Sequence, residues 1–120
     1  MTKLSVNLNK VALLRNARNL DVPSVSQAAR ICVEAGADGI TVHPRPDQRH
    51  VRPGDVYMLA EMLSVELNVE GNPFSDFMNI VRDVRPTQCT LVPDSPDQQT
   101  SDHGWDLAAD GTRLGPVVDE

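Results

Sequence analysis

His43, Arg45, Asp47, Arg49 and His50 follow directly on the apolar run Gly39-Ile40-Thr41-Val42. A strand tip needs none of these side chains for its own stability. Together they suit an anionic substrate: guanidinium groups hold the anion, and imidazoles titrating near neutrality move protons. A second apolar run, Glu66-Leu67-Asn68-Val69-Glu70-Gly71-Asn72, ends the same way, on a carboxylate. A glutamate on such a strand is costly unless it is paired or used. His43 and Glu70 on neighbouring strand tips would form an acid–base pair, with the ring within about one bridging water of the carboxylate.

Three further segments carry usable side chains. Asn7-Leu8-Asn9-Lys10 closes the first strand, and Arg15-Asn16-Ala17-Arg18 comes a turn later. Asparagines there can bind a carbonyl, a phosphate or the loop's own backbone; alone they read as a capping and turn motif. Thr100-Ser101-Asp102-His103 follows the fourth strand, and its hydroxyls could take a phosphate, although it also reads as a plain polar loop. His43, His50, Glu70 and His103 are the right types for a zinc hydrolase. They lack a tight i, i+4 or H-x-H spacing, and the neighbouring arginines would repel a cation, so no metal site is expected.

Four apolar strands position these groups: Leu4 to Asn7, Gly39 to His43, Glu66 to Glu70 and Gln88 to Val92. Each is rich in Val, Ile, Leu or Thr and bounded by polar, Pro or Gly residues. Between them lie helical patterns. Val25, Ala28, Ala29, Cys32 and Ala35 recur at steps of three and four after Pro23-Ser24, and Gly36 stops that helix. Pro53 opens a second, with Val56, Leu59, Ala60 and Leu63 inward. Phe74, Phe77, Ile80, Val81 and Val84 face inward on a third, which Pro86 ends. After a polar loop from Pro93 to Asp106, Leu107 to Glu120 reads as the start of another helix. The order β-α-β-α-β-α-β predicts a parallel sheet, strands in the order 1-2-3-4, with right-handed crossovers and the polar tips together at one end. Residues 1–120 read as a single α/β domain.

Composition narrows the function. Hydrophobic residues make up 40% of the 120 and aromatics only 3%, so the core must be aliphatic. A net charge of −6 argues against a nucleic-acid surface. Arg15, Arg18, Arg45, Arg49 and Arg52 still cluster in the first half, as a local phosphate site would require. No apolar run approaches the ~20 residues of a membrane span, and Met1 to Val6 lacks a signal-peptide core. A cytoplasmic protein without membrane contact is expected. Cys32 and Cys89 each lie in an apolar run and read as reduced core thiols.

The motifs Val6-Asn7-Leu8-Asn9-Lys10, Leu14-Arg15-Asn16-Ala17-Arg18, Ala35-Gly36-Ala37-Asp38-Gly39-Ile40-Thr41-Val42-His43, Arg49-His50, Leu67-Asn68-Val69-Glu70, Leu91-Val92-Pro93 and Thr100-Ser101-Asp102 run in order through the whole chain. In order and spacing the chain resembles the pyridoxine 5'-phosphate synthase family of vitamin B6 biosynthesis. The resemblance implies a TIM-type (β/α)8 barrel, of which these four βα units are the N-terminal half. It implies condensation of 1-deoxy-D-xylulose 5-phosphate with 3-amino-2-oxopropyl phosphate to pyridoxine 5'-phosphate, inorganic phosphate and water, with no metal or organic cofactor. It assigns acid–base roles to His43 and Glu70. Asn7 and Arg18 would hold the aminoketone phosphate; Arg45, His50 and Thr100 would hold the deoxyxylulose phosphate. Asn9 and Lys10 fall in the same substrate-binding set, where most members carry Asp-His.

The family chain is about twice as long, and its second half supplies a third catalytic histidine and glycine-rich phosphate loops. Two alternatives follow: a fragment of an active synthase, or a non-catalytic half-barrel that persists by pairing with a copy or a partner. An open four-stranded sheet leaves two strand edges unpaired. Aliphatic side chains facing the would-be lumen would also lack anything to pack on. The isolated chain is therefore expected to be inactive, and marginal or homo-oligomeric.

Overall fold

Four short strands form the sheet in the computed structural model, which describes residues 1–120. They are β1 (Ser5–Asn7), β2 (Gly39–Val42), β3 (Glu66–Gly71) and β4 (Gln88–Leu91). They lie side by side in chain order, and every neighbouring pair is parallel. The helices are α1 (Asn9–Arg18), α2 (Val25–Glu34), α3 (Pro53–Met62), α4 (Ser75–Val84) and α5 (Leu107–Asp119). This is the expected α/β half-barrel, with one helix more than the sequence pattern indicated.

That extra helix is α1. Its buried residues are Ala12 and Arg15, while Leu13 and Leu14 are exposed. An arginine in the buried position breaks the apolar repeat by which helices are read. The other helices start and stop where their residues dictate. The Ser24 hydroxyl accepts from the Gln27 amide at 3.3 Å to cap α2, and Gly36, at φ 101°, takes the left-handed turn after it. Pro53 occupies the first turn of α3, where a missing N–H costs nothing. Asp106 caps α5 through the amides of Ala108 and Ala109.

Register decides which face is apolar. Val6 pairs with Ile40, Ile40 with Leu67, and Val69 with both Val42 and Cys89. These residues sit on the helix side, where Ile40, Val42 and Val69 pack with Val25, Val56, Leu59 and Phe77 in the core. Burying each large aliphatic there contributes roughly 1.5–3 kcal/mol. Gly71 lets α4 approach closely, since a Cβ at that position would lie 2.4 Å from the Phe77 ring.

The opposite face corrects an expectation. It carries polar residues, not aliphatic ones. Ser5 and Thr41 share a hydroxyl hydrogen bond of 2.6 Å. The Asn68 amide donates to Thr41 at 3.4 Å, and the Thr90 hydroxyl donates to the Asn68 carbonyl at 2.9 Å. With side chains alternating at period two, each strand has one apolar set, and the helices claim it. The expected pair of core thiols is also corrected. Cys32 is half-buried, but Cys89 is exposed, because β4 is an edge strand.

Candidate active site

The strand tips are bound to one another through asparagines. The Asn7 side-chain oxygen Oδ1 accepts from the Asn9 backbone N–H at 2.8 Å, which seats the start of α1 on the end of β1. The Asn9 side-chain oxygen then accepts from the His43 backbone N–H at 2.9 Å, so α1 also fixes the tip of β2. The Asn7 amide donates to the Glu70 carboxylate at 3.4 Å. Asn7-Leu8-Asn9 forms a turn closed by the Asn7 side chain, although α1 has no side-chain N-cap, and the same two asparagines contact both candidate proton carriers.

His43 is buried, with 6% of its surface exposed. Burial lowers its pKa to about 4, against the partial opposition of the Asp94 charge; His50 and Arg45 push the same way as burial. The imidazole is therefore neutral at pH 7 and able to accept a proton. Glu70 is half-buried, and its pKa is raised, first by burial and then by Asp94. Continuing the Thr41–Asn68 and Val42–Val69 register by one residue sets His43 and Glu70 on the same, polar face. They make no direct hydrogen bond. Instead, the carboxylate nearest His43 belongs to Asp94, 3.9 Å from Nδ1. Asp94 escaped the sequence reading, although its place just past β4 is the signal that marked His43 and Glu70.

Arg45 is 4% exposed and turned into the protein. Its guanidinium donates to Asp94 at 3.4 Å and to the carbonyls of Ser95 and Gln98. Its Nε has no hydrogen-bond partner. The Ser101 hydroxyl donates to the same Asp94 oxygen, Oδ2, at 2.5 Å. Arg45 thus ties the loop after β2 to the loop after β4. Arg49 does the same at the surface, donating to Asp47 and to the Gln99 carbonyl. His43, Arg45, Asn72 and Asp94, with Phe74, Phe77 and Ile80, line a cavity of about 280 Å³.

His50 is held in one state. Its Nδ1 accepts from the Val51 amide at 2.9 Å, so the ring carries its proton on Nε2. Burial and the charge of Arg45 lower its pKa. Lys10 also lies within electrostatic reach of His50 and lowers its pKa slightly. The loop that carries His50 is clamped by α1. The Asn16 amide donates to the carbonyls of Gln48, Arg49 and His50 at 3.3, 3.0 and 2.7 Å. Arg15 makes a two-pronged ion pair with Asp55 and reaches the His50 carbonyl. Of the arginine cluster, Arg15, Arg45 and Arg49 are therefore occupied internally. Lys10 and Arg18 are exposed, and so is Thr100, whose carbonyl accepts from Gln98 at 2.8 Å.

The four residues named for a zinc site are spread over separate contacts. His103 pairs with Asp102 at the surface, 2.6 Å apart. No three His, Cys, Asp or Glu side chains come close enough to share an ion. Nor is any helix long and apolar enough to cross a membrane.

The family model described as "Pyridoxal phosphate biosynthesis protein PdxJ" matches residues 4–120. The chain belongs to this family. Among PdxJ-family relatives, a protein of Bacteroides thetaiotaomicron named pyridoxine 5'-phosphate synthase is 56% identical over all 120 residues of the chain, which cover 51% of its own length. A protein of the same name from Xanthomonas campestris pv. campestris is 55% identical over 98% of the chain and 50% of its own length. A third, from Porphyromonas gingivalis, is 52% identical over the whole chain and again half of its length. The chain spans about half the length of the curated PdxJ relatives it matches.

Proposed function

We propose that these residues form the N-terminal half of a pyridoxine 5'-phosphate synthase site. In it His43 acts as proton acceptor and Glu70 as its acid–base partner. The observation that carries this reading is the pair of titratable groups at adjacent strand tips, each with its pKa displaced chiefly by burial. A neutral, buried imidazole and a carboxyl with a raised pKa share one polar face. Buried titratable groups with displaced pKa values, gathered on one polar face, are the kind that take up general acid and base work. Joining an amine to a ketone, losing water and closing a ring is a series of such transfers. The substrates we assign are 1-deoxy-D-xylulose 5-phosphate and 3-amino-2-oxopropyl phosphate, and no cofactor is needed for proton transfers of this kind.

The phosphate contacts fall to groups that the fold leaves outward. Arg18 and Asn7 would take the aminoketone phosphate. Lys10, the Nε2–H of His50 and Thr100 would take the other, with Asn9 holding the frame. Arg45 is buried, so it would act on that phosphate through its charge and by holding the two loops together. Phosphate recognition by charge-assisted hydrogen bonds requires such donors. A cytoplasmic, homo-oligomeric enzyme fits this chemistry.

The test is a chimera in which the second half of a relative follows Glu120. Glu70→Gln in that protein is expected to abolish ring formation and to leave phosphate protection of the protein against thermal unfolding within about twofold in apparent Kd, a difference of about 0.4 kcal/mol. Parental turnover in the variant would remove Glu70 from the mechanism.

A further inference from the structure

Asp94 is buried to 4% exposure in the loop just past β4, the strand beside that of Glu70, and its two oxygens are used unequally. Oδ2 accepts from Arg45 at 3.4 Å and from Ser101 at 2.5 Å. Oδ1 is buried and has no donor at all. Arg45 already contacts Oδ2, and the other side chain at this carboxylate is His43, whose Nδ1 lies 3.9 Å from Oδ2. That is longer than a hydrogen bond, but it is a distance that a small carboxylate rotation closes. A buried carboxylate with one oxygen unpaired is costly unless a donor arrives.

We propose that Asp94 is a positioning residue for His43: it holds the imidazole as the Nδ1–H tautomer, facing the carboxylate, and so makes Nε2 the proton-accepting nitrogen. The inference rests on the reading of His43 as a base. It supplies the third member that an activated base requires, a group that orients the ring and steadies the imidazolium once a proton is taken. The rest of the surroundings agree. His43 is faced by His50, at 5.9 Å between ring centroids, by Arg45 and Asp47 of its own loop, and by Asp94 from β4. Arg45 and Asp47 already pair with each other at 3.7 Å. Glu70, across on β3, makes no direct contact with the ring, so Asp94 is the carboxylate within 4 Å of His43 and has a buried oxygen without a donor.

Asp94 is itself well supported. The Asn72 amide donates to its carbonyl at 3.1 Å. Asn72 in turn accepts from Arg113, whose guanidinium lies 5.7 Å from the Phe74 ring centroid and 5.4 Å from that of Trp105. The chain of contacts runs from α5 through the tip of β3 to the backbone of Asp94, so the residue that carries the carboxylate is held in place.

The experiment is 15N and 1H NMR of the imidazoles in this chain, labelled at histidine. In the parent, His43 is expected to show the Nδ1–H tautomer at pH 7 while His50 shows Nε2–H. Finding His43 as Nε2–H would overturn the proposal without any variant. In Asp94→Asn, His43 is expected to lose the tautomer preference and to titrate at lower pH still, because the charge that favours its protonated form is gone. Asp94→Glu keeps the charge and is expected to restore both signals at least in part. An unchanged His43 tautomer and titration in a folded Asp94→Asn protein would also overturn it. Because no step of this measurement requires turnover, it separates the pairing from the synthase reading. A chimera that lacks activity but shows the Nδ1–H tautomer sinks the reaction and supports the pairing.

Discussion

The buried imidazole sets how stability responds to acid. An unfolded histidine titrates near ~6.5, whereas His43 in the fold titrates at about 4. Between these values the unfolded chain binds more protons, so acid favours unfolding. The contribution is fully present above ~6.5 and is lost as pH falls through the folded value; the whole gap is worth about 3 kcal/mol. His50, also shifted down, adds in the same direction. The expected outcome is a urea midpoint that drops steeply between pH 7 and pH 4.5 in the parent, and less steeply in His43→Gln. Equal slopes in the two proteins would show that His43 is not buried as a neutral ring. His43 and Glu70 were legible in the sequence because a polar side chain at a strand tip has no structural reason to be there. Asp94 carried the same mark, but its partners lie far off in sequence, at Arg45 and Ser101 by way of two loops, and nothing local announces them.

At the scale of elements, α1 is the part that sequence periodicity hides and the site depends on. Its inward face is built on Arg15, which is paired with Asp55 of α3, and on Asn16, which gathers three carbonyls of the His50 loop. Such a helix is specified by polar contacts across some 35 residues of sequence, which no apolar repeat reports. Asn16→Ala leaves the Gln48 and Arg49 carbonyls without this donor and the His50 carbonyl with Arg15 alone. It is expected to cost about 1–3 kcal/mol and to speed hydrogen exchange at Arg49 to Val51 more than in the sheet. Arg15→Leu strands the Asp55 carboxylate and is expected to cost about 3–5 kcal/mol, read as a shift in the denaturant midpoint at constant slope. By contrast, α2, α3 and α4 were readable, because their buried residues are aliphatic or aromatic at helical spacing. One contact between elements is also sharp enough to test. Gly71→Ala pushes a methyl group into the Phe77 ring, and overpacking of this kind is expected to cost about 1–3 kcal/mol. A neutral result would mean that α4 can slide on β3.

For the molecule as a whole, the parallel order was legible from βα alternation alone, whereas the character of the inner face was not. Expecting aliphatics there ignored that each strand has only one apolar set, and four helices on one side already bury it. The polar face, with its Ser5–Thr41–Asn68–Thr90 ladder, tolerates water. What remains exposed is the edge. β1 and β4 each pair on one side only, and an open edge templates pairing with another chain. Beside β4, Met78, Val81, Cys89, Leu91, Val117 and Val118 line a largely apolar groove of about 600 Å³. Residues 1–120 expressed alone are therefore expected to give no pyridoxine 5'-phosphate and to self-associate through this corner, not through the inner face. Light scattering is expected to report a mass above that of one 13.1 kDa chain. Val118→Lys, which places a charge in the groove, is expected to lower it, whereas Asn68→Asp on the inner face is not. Reversed sensitivity would move the association to the polar face, and a monodisperse, active parent monomer would show that neither the edges nor a second half limits this chain.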